Sequence, residues 1–370
     1  MKKKSKLSEK HKNKPDRRKV LVALSGGVDS AMAAQLLKNK GYEVAGVFLN
    51  FWKDDSALKT AGAHSGGASS LADARAVAAR LGIPFYNFDF TGLFKEKVVD
   101  NFLGEYAAGR TPNPCVVCNR QVKLGQLLRQ ARRLGFDYVA TGHYVKLKLV
   151  GADYRLFKAK DRKKDQSYFL YTLGQSELER LLFPLGNYTK LQVRQLAEKF
   201  GLPVAGKPES QDICFLSGDH NDFLKKHLAL RPGDIRLLSS GEKIGEHQGL
   251  PLYTIGQRRG LVGGTGPYYA AKFDYRKNIL YVVKDWNEAR LYQRQLMAKR
   301  VNWLSGQAPQ RAIRRQAAIR YGHPAVPCSV TPRGRSGCLV KFAQPQRAIT
   351  PGQSVVFYRG EQVLGGGIIK

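Results

Sequence analysis

Residues 18–41, RKVLVALSGGVDSAMAAQLLKNKG, constrain the fold more than any other stretch of the chain. VLVAL is an unbroken apolar run, the composition of a strand covered on both faces. SGGVDS follows at once, and then a helical pattern that stops at Gly41. A buried strand, a glycine turn and a helix in that order predict the first unit of a parallel sheet.

The same rhythm continues. EVAGVFL, IPFYNFDF and DYVATGHY read as further strands, and SSLADARAVAARLG, LFKEKVVDNFLGEYAAG and NRQVKLGQLLRQARRLG as helices between them. Four alternations predict a doubly wound α/β sheet. The polar stretch from Lys53 to Ser70, rich in Gly, Ala and Ser, predicts a loop near the site. From about Val145 the pattern changes. YVKLKLVGADYRLFKA predicts a hairpin, and SELERLLF and KLQVRQLAEKFG two amphipathic helices. Beyond Pro232 short strands alternate with Gly and Pro, which predicts a small β-rich central domain and a terminal barrel. The expected division is a basic disordered tail (1–18), a catalytic α/β domain with a helical insertion (19–215), a central domain (216–290) and a C-terminal β-barrel (291–370).

Charge narrows the partner. Lys and Arg number 62 against 29 acidic residues, a net charge of +33 spread along the whole chain. Such a surface attracts polyanions by counterion release, so nucleic acid is the expected partner, against the plainer reading of a general basic bias. The Lys-rich start has no apolar h-region, and no run of about 18 apolar residues predicts a membrane span. The tail reads as a basic arm or as a solvated bystander. Five scattered cysteines, Cys115, Cys118, Cys214, Cys328 and Cys338, argue against a disulfide framework and for a reducing cytoplasm. Cys328 and Cys338 fall in the β-rich end and read as small core residues.

Placed between strand and helix, SGGVDS can cradle phosphate. Gly26 and Gly27 permit a tight turn and close backbone approach, Ser25 and Ser30 offer hydroxyls, and Asp29 could hold Mg²⁺ on a nucleotide. The plainer alternative is an ordinary glycine turn. The spacing is not that of a Walker A loop. It resembles the ATP pyrophosphatase (PP-loop) superfamily, whose members adenylate an oxygen and let a nucleophile displace AMP.

Replacing a uracil oxygen by sulfur would need that adenylation, an activated sulfur carrier and a second thiol to cut the carrier's S–S bond. Cys118 lies just before a helix expected to start near Asn119, where the helix dipole favours thiolate. Cys214 lies far along the chain in KPESQDICF. LSGGVDS, AGRTPNPCVVCNR, ATGHY, KDQSYFLYTL, LFPLG, KPESQDICF, GEHQGL, YTIGQRRGL and TPGQSVVFY with LGGGII occur in one order. In that order they resemble the MnmA (TrmU) family of tRNA 2-thiouridylases over residues 19–370.

The resemblance implies ATP binding by Ala23, Leu24, Ser25, Gly26, Gly27, Val28, Asp29 and Ser30, with Leu49 and Gly142 lining the adenine and ribose pocket. It implies Cys118 as nucleophile, Cys214 as persulfide carrier and a transient Cys118–Cys214 disulfide. Asn113, Pro114 and Cys115 would meet the target base. His143, Lys164, Asp165, Gln166, Arg320, Tyr321 and Gln353 would contact tRNA, and an upstream persulfide protein would donate sulfur. Many family members carry Asp where this chain has Cys115. Cys115 is then an accessory of the relay, or Cys115, Cys118 and Cys214 together ligate a 4Fe–4S cluster; zinc or a small apolar filler are the remaining readings. A PP-loop ligase or amidotransferase acting on a small metabolite leaves the charge and the thiols unexplained. A non-enzymatic RNA binder leaves Asp29, Cys118 and Cys214 without a purpose.

Overall fold

The computed structural model describes residues 18–52, 66–208, 215–216, 219–261 and 266–370. The rest of the basic tail, residues 53–65 of the polar stretch, and Cys214 lie outside the described residues.

Strands β1 (Lys19–Ala23), β2 (Glu43–Asn50), β3 (Phe85–Asp89) and β4 (Tyr138–Ala140) run parallel, with β1 between β2 and β4. Helices α1 (Val28–Asn39), α2 (Gly66–Leu81), α3 (91–107) and α4 (114–133) connect and cover them. The apolar run of β1 is divided by the pleat. Val20 and Val22 face a core shared with α1 and α2, while Leu21 faces one shared with α3 and α4. Both faces being covered explains the unbroken run.

Next comes the hairpin of β5 (Val145–Val150) and β6 (Asp153–Lys158). Short α5 (Gln175–Leu178) leads into β7 (Leu181–Leu182), which pairs parallel with β4 and completes the sheet order β3-β2-β1-β4-β7. Two expectations shift here. SELERLLF is not one helix: it turns once and then adds an edge strand, because Leu178 and Leu181 are both buried and the open edge of β4 takes up the backbone, Val139 N donating to Arg180 O at 2.9 Å. The polar stretch expected as a loop to Ser70 is already helical from Gly66, since Ala74, Val77, Ala78 and Leu81 give α2 a buried face. Helix α6 (Lys190–Lys199) begins with a capping box, Thr189 Oγ1 accepting from Gln192 N and Gln192 Oε1 from Thr189 N. Helix α7 (His220–His227) follows.

The β-rich end has two parts. β8 (Gly233–Leu237), β9 (Lys243–His247), β10 (Tyr269–Asp274) and β11 (Ile279–Val283) form a four-stranded sheet of order β10-β11-β8-β9. β12 (Tyr292–Trp303), β13 (Ile313–Ala318), β14 (Val326–Arg333), β15 (Gly337–Arg347), β16 (Ser354–Arg359) and β17 (Gln362–Ile369) form a six-stranded antiparallel barrel, closed where β12 pairs with β17. The hairpin β5–β6 joins this barrel through Gln362 and Phe157, not the parallel sheet that precedes it in sequence. Its Leu156 is fully buried, a contribution of roughly 1.5–3 kcal/mol for such a side chain. Among the described residues no helix is long and apolar enough to cross a membrane.

Candidate active site

The phosphate loop is braced from within. Ser25 N donates to Ser30 Oγ at 3.0 Å, and Ser30 Oγ donates to Gly27 O at 3.0 Å. The Ser30 hydroxyl, expected as a ligand donor, therefore shapes the loop. Gly26 has φ +72°, and a Cβ there would lie 2.3 Å from Ser70 O of α2. Gly27 caps α1 and brings no side chain to its first N–H groups, which leaves an anion-binding end. Asp29 is bound at both oxygens by Lys190 Nζ at 2.7 Å and accepts from the Tyr144 hydroxyl at 2.7 Å. Lys207 Nζ donates to Gly26 O at 3.1 Å and pairs with Asp73. Leu24, Val28 and Leu49 are buried beside the loop, and Ala23 is half-buried at the end of β1.

The thiol turn differs from expectation in one respect. Its helix starts at Pro114, capped by Asn113 Oδ1 accepting from Val116 N, five residues before Asn119. The reason is local: proline suits the first helical position and Asn the cap. Cys115 thus occupies the first turn, and Cys118 lies one turn further on. At that i, i+3 spacing both thiols share a helix face. A π-helical turn, Asn119–Lys123, follows directly. Cys115 and Cys118 line a cavity of about 100 Å³ with Phe94, Val98, Pro114, Asn119, Lys123, His143, Gln166, Phe169 and Phe215. Cys214 itself is outside the described residues, but the next residue, Phe215, lines this cavity and packs edge-on against Phe94 and Phe102.

Gly142 and His143 connect the two regions. A Cβ on Gly142 would lie 2.8 Å from the backbone of Asp29 and Ser30. His143, the next residue, is buried in the thiol cavity with Nδ1 2.7 Å from Thr141 Oγ1. Burial, assisted by the charge of Lys123, pushes its pKa down to about 3, so its ring is neutral near pH 7.

Residues 18–218 match the family described as the tRNA methyl transferase HUP domain, 221–284 the tRNA methyl transferase PRC-barrel domain, and 293–369 the aminomethyltransferase beta-barrel domain. A tRNA-specific 2-thiouridylase MnmA from Roseiflexus castenholzii is 48% identical over 372 residues, covering 95% of this chain and 99% of its own. Another, from Carboxydothermus hydrogenoformans, is 47% identical over 364 residues, covering 96% and 98%. The chain belongs to the tRNA-specific 2-thiouridylase MnmA family.

Among the positions that the MnmA resemblance assigns to RNA, several are engaged within the protein. Asp165 accepts from Ala159 N at 2.9 Å and from Ser167 Oγ at 2.8 Å. Gln166 pairs with the backbone of Tyr144 through its own N–H and through Oε1, both at 2.9 Å. Lys164, two residues before Gln166, is half-buried. Arg320 Nη2 donates to Arg347 O at 2.6 Å. Gln353 Nε2 donates to Thr111 O and Pro112 O. Tyr321 remains 45% exposed and lies 4.5 Å from the Phe169 ring, so an aromatic surface leads from the barrel to the cavity. The barrel and the cavity lined by Cys115 and Cys118 are thereby brought together.

Sequence reasoning missed Tyr144, Lys190, Lys207, Phe169 and Phe215. Four of them had a signal, because Tyr144 ends ATGHY, Phe169 lies in KDQSYFLYTL, and Lys207 and Phe215 bracket KPESQDICF. Lys190 had none, since only the packing of α6 beside α1 brings it to Asp29.

Proposed function

We propose that the chain is an ATP-dependent tRNA 2-thiouridylase that replaces the C2 oxygen of a wobble uridine by sulfur from a cysteine persulfide. One observation carries the reading: Gly142 touches the phosphate loop while its neighbour His143 lines the thiol cavity, and consecutive Cα atoms are about 3.8 Å apart. Adenylation and sulfur chemistry can then act on one base.

The glycine loop and the start of α1 suit the phosphates of ATP, with Leu24, Leu49 and Gly142 beside the nucleoside. Asp29 and Lys190 place opposite charges at the loop, the carboxylate for Mg²⁺ and the ammonium for phosphate. Bound Mg²⁺ would neutralise charge developing on the pyrophosphate. The uridine O2 attacks the α-phosphate and pyrophosphate leaves. The terminal sulfur of a persulfide on Cys214 then bonds to C2, and the C2–O bond breaks to release AMP. Cys118 thiolate takes the other sulfur of the S–S bond. The sulfane sulfur is reduced to thiocarbonyl, and Cys118 and Cys214 are left oxidised as a disulfide that an external dithiol reduces. The neutral His143 can hydrogen-bond the base without adding charge. Asn113, Pro114 and the Phe169–Tyr321 pair would hold it, with Lys164 and Arg320 toward phosphates.

A second reading is favoured by Cys115 sharing the Cys118 helix face. Cys115, Cys118 and Cys214 would hold a 4Fe–4S cluster, which when bound would supply an open iron for sulfide. Anaerobic purification with iron and sulfide analysis separates the two. A colourless, iron-free enzyme that turns over with persulfide supports the relay. Activity that tracks iron supports the cluster.

The function itself is tested by ATP–pyrophosphate exchange with and without tRNA, together with mass-spectrometric detection of 2-thiouridine. Exchange stimulated by tRNA and a thiolated product are expected. Exchange with a small amide or acid donor in place of tRNA would overturn the reading. Binding of tRNA should weaken steeply with salt. Deleting residues 1–18 should flatten that slope only if the tail touches RNA.

A further inference from the structure

We infer that the barrel and the loop between β9 and β10 clamp the segment leading into the thiol turn, and that Gln353 is a positioning residue of the thiol site. The inference rests on the thiolation reading above and assigns Gln353 a task other than RNA contact.

The segment Thr111-Pro112-Asn113-Pro114 carries two prolines, so it has only two backbone N–H groups of its own. Its carbonyls need outside donors wherever water is excluded. The barrel supplies them. Gln353 Nε2 donates to Thr111 O at 3.0 Å and to Pro112 O at 3.1 Å, across more than 240 residues of sequence. Thr111 N returns a bond to Pro351 O at 2.9 Å. Between these two residues, Gly352 has φ +92°, and a Cβ there would lie 2.8 Å from Thr111 O, so only glycine lets the barrel turn approach this closely. The central domain adds a third hold, Thr111 Oγ1 lying 3.0 Å from Thr254 Oγ1. Beside these holds, the Tyr168 hydroxyl donates at 2.8 Å to the carbonyl of Ser354, the residue after Gln353.

Asn113 is the cap of the helix that carries Cys115 and Cys118. The phosphate loop hangs from a different element, β1. The distance between the thiols and an adenylated base is therefore set by how the barrel holds residues 111–113. A displacement of about 1 Å at a reacting centre can cost on the order of 100-fold in rate.

The test uses Gln353→Ala and the isosteric Gln353→Glu, which keeps the shape and removes the N–H donors. Both should lower the single-turnover thiolation rate at saturating tRNA by about 10- to 100-fold while tRNA Kd stays within about twofold. Thr254→Val should lower it less, and the double variant should be less than additive, since both hold one segment. The rate of Cys115 alkylation by iodoacetamide without RNA should also change in Gln353→Ala, a readout that stands even if wild-type protein makes no 2-thiouridine and the functional reading fails. If Gln353→Ala misfolds, Thr254→Val carries the same comparison. Weaker tRNA binding with a shallower salt slope and an unchanged rate at saturation would make Gln353 an RNA contact and overturn the clamp. So would unchanged rate and unchanged alkylation.

Discussion

The phosphate loop and the thiol turn are both helix starts, yet they are held in opposite ways. The loop is braced by hydrogen bonds among residues 25–30, at the end of a strand buried on both faces. At the thiol turn Asn113 Oδ1 caps the helix by accepting from Val116 N, and the approach to it is held by residues 254, 351 and 353. A site for binding a common nucleotide can be made locally. On the proposed reading, a site that must meet both an adenylated base and a large RNA is positioned instead by elements distant in sequence.

Substitutions can separate the two regions, and the largest effect should come from the thiols. Cys118→Ala or Cys214→Ala should remove 2-thiouridine formation by at least ~10³-fold while tRNA-stimulated pyrophosphate exchange persists. Loss of exchange in both variants would mean the two regions are not separable steps. Asp29→Ala should lower both exchange and thiolation by roughly 10²–10³-fold with tRNA binding largely intact, because charge at the phosphates is removed and RNA contacts are not. Filter binding alongside the exchange assay checks this, and normal 2-thiouridine levels would sink the phosphate-loop reading.

Cys115→Asp sharpens the chemistry of the turn. Under the relay it should keep activity within about tenfold, since a carboxylate can serve in acid–base work beside the thiols. Under a cluster it should lose iron and activity together, a carboxylate being a harder ligand than a thiolate. The smallest expected effect concerns His143. Its folded pKa of about 3 lies below the free value of 6.5, so between those values the unfolded chain binds a proton that the native chain does not. Its contribution to stability is full above pH 6.5 and is lost as pH falls toward 3. His143→Gln should therefore flatten the decline in denaturation midpoint across that window; an unchanged decline would show that His143 is accessible and charged in the native protein.

Much of this was legible in residues alone. The apolar run before SGGVDS announced a doubly covered strand, and the Gly and Pro spacing beyond Pro232 announced short antiparallel strands. Asn113 and Pro114 even carried the signature of a helix start, which the pair of cysteines obscured. SELERLLF could not be read correctly, because a leucine pair that closes a sheet edge has the same composition as one that faces a helix core. The β5–β6 hairpin was legible as a hairpin but not as a partner of β17, since nothing in its alternation names the strand two hundred residues away.

What the sequence determined by itself is whatever is set by neighbours in the chain: the phosphate loop, the helix caps, the alternation of strand and helix, and the presence of two thiols one turn apart. Tertiary structure alone decided that Lys190 reaches Asp29, that His143 is neutral inside the thiol cavity, and that Gln353 holds Thr111 and Pro112. The physical reason is the range of the forces involved. Backbone dihedral preference and capping act over a few residues, whereas burial, ion pairing and the satisfaction of a carbonyl that has no local donor depend on whichever groups the packed chain brings within about 3 Å.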